Sequence, residues 1–314
     1  MKEGDEADDA VRKAAKRTIS RRELQHHERF EQISPEVGEL DEQALDDAMD
    51  EDPDNALALL ADLTGATDPK LRALAQRLAG RLMLELSRSG PTRPRGIGTL
   101  RSGPYRPDGG DLDLDASLEA IAEARAAGSL VEVERLRIRR WTRPGTALCL
   151  LVDRSGSMGG KPLATSAVAA AAVAWRAPED YSVLAFAKDV VVAKSQDLTK
   201  APDRVINDVL TLRGFGTTDL AGALGIARTQ LSRSRAGRRI AVLLSDCRAT
   251  VPGDVVAAAA ALDELCIVAP EGDSEEAEAL AAAVGARLAT VGGPSQVASA
   301  LARVLNDERG PGGR

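Results

Sequence analysis

From residue 146 onward, apolar runs of strand length alternate with helix-length segments, and this alternation limits the possible folds more than any other feature. The runs are Ala147–Val152, Ser182–Phe186, Val190–Val192, Ile240–Leu244, Leu265–Ala269 and Leu288–Val291. Between and after them lie Leu163–Trp175, Pro202–Leu212, Leu220–Leu231, Asp254–Asp263, Glu275–Val284 and Ser295–Leu305. Runs that are apolar throughout predict strands covered on both faces, as in a parallel sheet. Repeated strand–helix alternation predicts an open α/β fold. The gap between Phe186 and Val190 is too short for a crossover helix, so that pair is expected to form a hairpin and leave one antiparallel edge strand. The expected architecture is an open, Rossmann-like, doubly wound sheet, mostly parallel. Aromatic residues make up only 2% of the chain, so its core must be aliphatic, and the Ala-rich helices can lie close to the sheet.

The segments before residue 146 read differently. Residues 1–33 are densely charged, with mixed signs, and are expected to form a helical or disordered arm. Residues 34–90 read as a helical region. It should hold one or two short helices over 36–64, broken near Pro53, and a clearer helix over 68–88. Asp68-Pro69 marks the start of that helix as an N-cap followed by proline at the first position. Leu71, Leu74, Leu78, Leu82 and Leu86 then recur at helical spacing. Residues 91–145 read as a linker rich in Gly, Pro and Arg, a helix over 116–127 and a basic strand over 130–140. A core α/β domain is assigned to residues 146–306 and a disordered tail to 307–314.

Several function classes are disfavoured. The net charge is −7, which argues against a general nucleic-acid binder. The cluster Arg135, Arg137, Arg139, Arg140 and Arg143 reads as the solvated face of an edge strand. No apolar stretch reaches membrane-spanning length. The start is polar and acidic and has no apolar signal region, so a cytoplasmic location is expected. Cys149, Cys247 and Cys266 give no disulfide framework; Cys149 and Cys266 sit in apolar runs as core residues. His26 and His27 are expected on a solvated surface, out of reach of a catalytic triad or a zinc site. Asp111-Leu112-Asp113-Leu114-Asp115 lacks the glycine and terminal glutamate of a calcium loop and reads as a helix N-cap.

Polar residues gather where such a sheet binds ligands, at the carboxyl ends of its strands. The first strand runs into Asp153-Arg154-Ser155-Gly156-Ser157-Met158-Gly159-Gly160, and the strand Ile240–Leu244 runs into Ser245-Asp246. Gly214-Phe215-Gly216-Thr217-Thr218-Asp219 precedes the helix that starts near Leu220. Oxygen ligands alone suit a hard cation, magnesium above all, with manganese or calcium as alternatives. Two carboxylates only neutralise a divalent ion, and hydroxyls add no charge. The ion therefore stays electrophilic, and an Asp or Glu from another protein can replace a bound water.

Asp153-x-Ser155-x-Ser157, Thr218 in a Gly-rich loop and Asp246 after an apolar strand together resemble the metal-ion-dependent adhesion site of von Willebrand factor A (VWA) domains. The resemblance implies metal roles for Asp153, Ser155, Ser157, Thr218 and Asp246, with Thr217 as the alternative threonine. The segment Leu150-Leu151-Val152-Asp153-Arg154-Ser155-Gly156-Ser157-Met158 is most similar to the bacterial intracellular branch, namely CoxE-like proteins associated with MoxR-type AAA+ ATPases and the VWA region of magnesium-chelatase D-type subunits. That implies a non-catalytic adaptor working with an AAA+ ATPase in metal insertion or maturation of a client protein. A magnesium-chelatase-like subunit is the alternative, but no ATPase-like module precedes residue 146. Two enzyme readings fail on the residues. Ser155 and Pro162 break a phosphate loop, and Ser155 stands where an aspartyl phosphatase would carry its second carboxylate.

Overall fold

The computed structural model describes residues 1–14, 17–88, 99–105, 111–142, 145–154, 160–212 and 216–306. They fall into two compact units, Met1–Arg93 with Thr146–Arg314, and Pro94–Gly145.

The first unit begins with α1 (Asp5–Ala14), α2 (Arg21–Leu24), α3 (Phe30–Ile33), α4 (Glu42–Glu51), α5 (Pro53–Leu63) and α6 (Pro69–Ser87). Aspartates set the helix starts. Asp41 caps α4, Asp52 caps α5 and Asp68 caps α6, and the last two are each followed by proline at the first helical position. Asp41 and Asp52 thus serve their own backbone.

The small unit holds β1 (Thr99–Pro104), β2 (Asp111–Leu112), α7 (Leu114–Ala126) and β3 (Arg137–Thr142). Asp113 caps α7 through the amide of Ala116, so the helix starts earlier than position 116. The basic strand is shorter than the sequence predicts. Val133–Arg135 forms a single 3-10 turn, and only Arg137–Thr142 is extended. Leu130 and Val133 are exposed and Ile138 is buried, so the sheet gives burial only from that point on. β3 is also central rather than an edge strand, pairing antiparallel with both β1 and β2. Arg135 pairs with Glu123, and Arg139 with Asp113 and Asp115.

The remainder of the first unit is the predicted α/β fold. Its strands are β4 (Thr146–Asp153), β5 (Tyr181–Phe186), β6 (Val190–Lys194), β7 (Arg238–Leu244), β8 (Glu264–Pro270) and β9 (Arg287–Val291), and its helices are α8 (Gly160–Arg176), α9 (Pro202–Thr211), α10 (Leu220–Ser232), α11 (Val255–Ala260), α12 (Glu275–Val284) and α13 (Val297–Asn306). The sheet order is β6-β5-β4-β7-β8-β9, parallel except for the β5–β6 hairpin. Alternate residues of β4 feed two cores. Leu148, Leu150 and Val152 face α8, α9 and α13, while Ala147, Cys149 and Leu151 face α10, α11 and α12. α5 and α6 pack on α8 from its other side. This explains the run Ala169–Ala172: α8 is buried between two layers, and small side chains let both approach. α11 is shorter than its predicted span. Lys2 lies parallel to Val191, taking hydrogen bonds at the open edge of β6. No helix among the described residues is long and apolar enough to cross a membrane.

Candidate metal centre

At the carboxyl ends of β4 and β7, the loops are bonded to one another. Asp153, the last residue of β4, accepts a 2.7 Å hydrogen bond at Oδ2 from the Ser245 hydroxyl at the end of β7. The same Ser245 oxygen accepts the amide of Cys247 at 2.9 Å. Between them, Asp246 accepts the amide of Arg248 at Oδ1, 3.0 Å away. Cys247 has φ of +66°, a left-handed conformation rare for a residue with a side chain. The chain therefore turns sharply just after Asp246, and the Ser245 bond helps to hold that turn.

Thr218 is joined to the same region. Its amide donates to the Thr250 hydroxyl at 2.7 Å, and its carbonyl accepts from the amides of Thr250 and Val251, each at 3.1 Å. Asp219 caps α10 through the amide of Gly222, and its own amide donates to the Ala187 carbonyl at the β5–β6 turn. Thr218 is buried at 1% exposure, whereas Thr217 is exposed. Asp153 and the Asp246 turn are thus linked through Ser245, and Thr218 is linked to the continuation of that turn through Thr250. Ser155 and Ser157 lie outside the described residues.

Asp153, Asp246 and Thr218 thus stand on three interlinked loops, and carboxylates and a hydroxyl are oxygen groups of the type a hard cation takes. Among the described residues no group of three or more His, Cys, Asp or Glu could hold an ion. Burial, reinforced by the charges of Asp246, Asp153 and Glu276, pushes the Cys247 thiol up to about 12. It is therefore protonated at neutral pH and a poor nucleophile. Burial also pulls Arg154 below its ordinary value, opposed by Asp189 and Asp153.

Sequence reasoning named Ser245 without giving it a role, missed Thr250 and misplaced His27. His27 is half-buried, with Nε2 3.1 Å from Oδ2 of Asp62 at the end of α5. The surface expectation fails because the turn after α2 lies against α5.

A doubly wound sheet with polar loops tied together at its carboxyl edge defines a ligand-binding α/β domain. The family model described as a VWA domain containing CoxE-like protein matches residues 86–292, and the chain belongs to that family. Among curated proteins, none matches this chain in sequence. Solved structures resemble it weakly. Proximal thread matrix protein 1 from the mussel byssus is 14% identical, with 51% of this chain and 47% of that one covered and a TM-score of 0.40. The von Willebrand factor type A protein from Catenulispora acidiphila is 15% identical, with 53% and 43% covered and a TM-score of 0.40. The manganese-loaded TRAP protein of Plasmodium vivax is 14% identical, with 52% and 74% covered and a TM-score of 0.41. The chain thus spans less than half the length of the first two. Family membership rests on the match over 86–292.

Proposed function

We propose that this VWA-type interaction module grips a partner protein through one divalent cation, magnesium by preference, held by Asp153, Ser155, Ser157, Thr218 and Asp246. The observation that carries the reading is the bonding among the loops, Ser245 to Asp153 and Thr250 to Thr218, which organises oxygen donors from separate parts of the chain. The burial of Thr218 beside exposed Thr217 favours Thr218 as the threonine ligand. When bound, the cation supplies an electrophilic centre for an Asp or Glu of the partner. The chain's own residues orient that centre. Asp153 and Asp246 neutralise it, and Ser245 fixes the direction of the Asp153 carboxylate.

The CoxE-like membership favours an adaptor role in the cytoplasm, beside a MoxR-type AAA+ ATPase and a client protein whose metal insertion or maturation it serves. The groups described at the site are carboxylates and hydroxyls, with the Cys247 thiol buried beside them, a set suited to binding. The test is copurification of a MoxR-type ATPase and client with the tagged chain in magnesium and then in chelator. Asp153→Ala and Asp246→Ala should each weaken cation-dependent capture by more than about 100-fold while leaving the fold intact, since even second-shell changes around metals cost about 10–100-fold. Equal capture by wild type and both variants in magnesium contradicts the reading.

A further inference from the structure

The first residues of the chain lie on the α/β fold as a peptide lies on a receptor. The Lys2 amide donates to the Val190 carbonyl at 2.8 Å, and the Val192 amide donates to the Lys2 carbonyl at 2.9 Å. One residue is thereby added to the open edge of β6, in parallel with Val191. Lys2 Nζ lies 3.5 Å from Asp189. The next residue, Glu3, enters a polar pocket between the segment after β6 and the end of α10. Its Oε1 is 2.7 Å from the Ser195 hydroxyl and accepts Gln230 Nε2 at 3.1 Å. The Arg233 guanidinium donates to both carboxylate oxygens, to Oε2 at 3.0 Å. Gly4, with φ of +58°, then turns the chain into α1.

The pocket is held by bonds that do not involve its occupant. The Gln196 amide donates to Gln230 Oε1 at 2.9 Å, and Arg233 Nη1 donates to the Ser195 hydroxyl at 2.7 Å and lies 3.2 Å from Asp197. Gln230 and Ser195 are buried, at 0% and 4% exposure. The occupant is held more lightly. Of residues 1–14 only Ala7 is buried, with Ala10, Val11 and Ala14 partly covered. A segment with so few buried apolar contacts opens locally at low cost. Opening frees the Val190 carbonyl and the Val192 amide as a strand edge and leaves the Arg233 guanidinium open to another carboxylate.

We propose that the β6 edge and the pocket of Ser195, Gln230 and Arg233 form a docking site for an extended segment with a carboxylate on the residue after the paired one, and that its occupant in trans is the arm of residues 1–14 from a second copy of this chain. Each bond of the arm's first residues joins Lys2 or Glu3 to a residue between 189 and 233, so exchange between two copies keeps all of them. The cost is the freedom lost on association, so exchange grows with protein concentration. No cation takes part, and the inference does not rest on the metal reading.

The test mixes two full-length variants and follows association by sedimentation equilibrium. Arg233→Ala keeps the arm and breaks the pocket, whereas Glu3→Ala keeps the pocket and breaks the arm's anchor. The equimolar mixture should form a one-to-one complex, with the intact arm of the first chain in the intact pocket of the second. Its association should be about 10–100-fold stronger than that of either variant alone, the range that loss of a hydrogen bond to a charged group implies. In the wild type the attached arm competes at high effective concentration, so association should be weaker than in the mixture. Circular dichroism checks the fold of each chain, and Ser195→Ala, a milder break of the same pocket, replaces Arg233→Ala if that variant does not fold. A free peptide of residues 1–14 should dissolve the complex, and the same peptide with Glu3→Ala should not. A mixture that associates no more than its components overturns the proposal. So does equal competition by the Glu3→Ala peptide, which would mean that the pocket does not read the carboxylate. Equal competition by an unrelated acidic peptide of the same length would assign the site to acidic segments at large and overturn the second copy as its occupant.

Discussion

The two faces of the central sheet are built differently. On one, α8 lies between the sheet and a second layer made by α5 and α6, and eleven of its residues are buried. On the other, α10 covers the sheet with residues such as Gly225, Arg228 and Thr229 exposed. The loops of the candidate site divide along the same line. Gly160, the first residue of α8, is bonded to Asp62 of the outer layer, whereas Thr218 and Asp246 stand on segments bonded to one another and to strand ends. A doubly covered helix can be positioned from outside the sheet. A singly covered one leaves its loops to fix themselves.

Four changes sharpen or break this contrast, beginning with the largest effect. Ser245→Ala strikes the self-tied half: it removes the hydroxyl that donates to Asp153 and accepts from the Cys247 amide. A loss of about 1–3 kcal/mol in denaturant unfolding is expected, together with Mn²⁺ binding weakened about 10–100-fold. Unaltered stability and affinity would mean that the loops do not depend on this bond. The second comparison enlarges one small residue on each face. Ala170→Leu overpacks α8 between its two layers and should cost about 1–3 kcal/mol. Gly225→Ala on α10 places a Cβ in open space in a helix interior and should gain about 0.5–1 kcal/mol. If both changes moved stability in the same direction, the difference in covering would be disproved.

The smallest effect concerns Glu3, by which the N-terminal segment reaches the α10 side. The Arg233 hydrogen bond, helped by Ser195 and Gln230 and opposed by burial, holds its carboxyl at about 2 instead of 4.5. Because the folded value is depressed, its stabilisation is present above about pH 4.5 and is lost as pH falls toward 2. Glu3→Gln should flatten that part of the stability–pH curve. A curve of the same shape in wild type and variant would remove Glu3 from the account.

Much of this was legible in the sequence because it is periodic or local. Continuous apolar runs marked every strand of the large sheet, and the three residues between Phe186 and Val190 dictated the hairpin. Asp68-Pro69 announced α6 through a capping contact three residues away. Asp153 and Asp246 at predicted strand ends, with Thr218 in the loop before a predicted helix, pointed to one edge of the sheet. What stayed hidden depends on contacts between distant segments. Thr250 meets Thr218 across 32 residues and Asp62 meets Gly160 across 98, and neither spacing leaves a period. His27 looks like surface in a charged stretch until α5 is placed beside it. The left-handed turn at Cys247 has no sign in composition, since cysteine does not favour it. Within the small unit, local alternation over 130–136 suggested a strand, but among the described residues no neighbouring strand lies there to receive it.

The central claim is that loops from separate parts of the chain share one cation. Anomalous scattering from a crystal of the full chain soaked in Mn²⁺ tests it directly. The account predicts a single strong peak among the side-chain oxygens of Asp153, Thr218 and Asp246, absent from Asp153→Ala. A peak elsewhere, or no peak with these side chains turned away from one another, would contradict it.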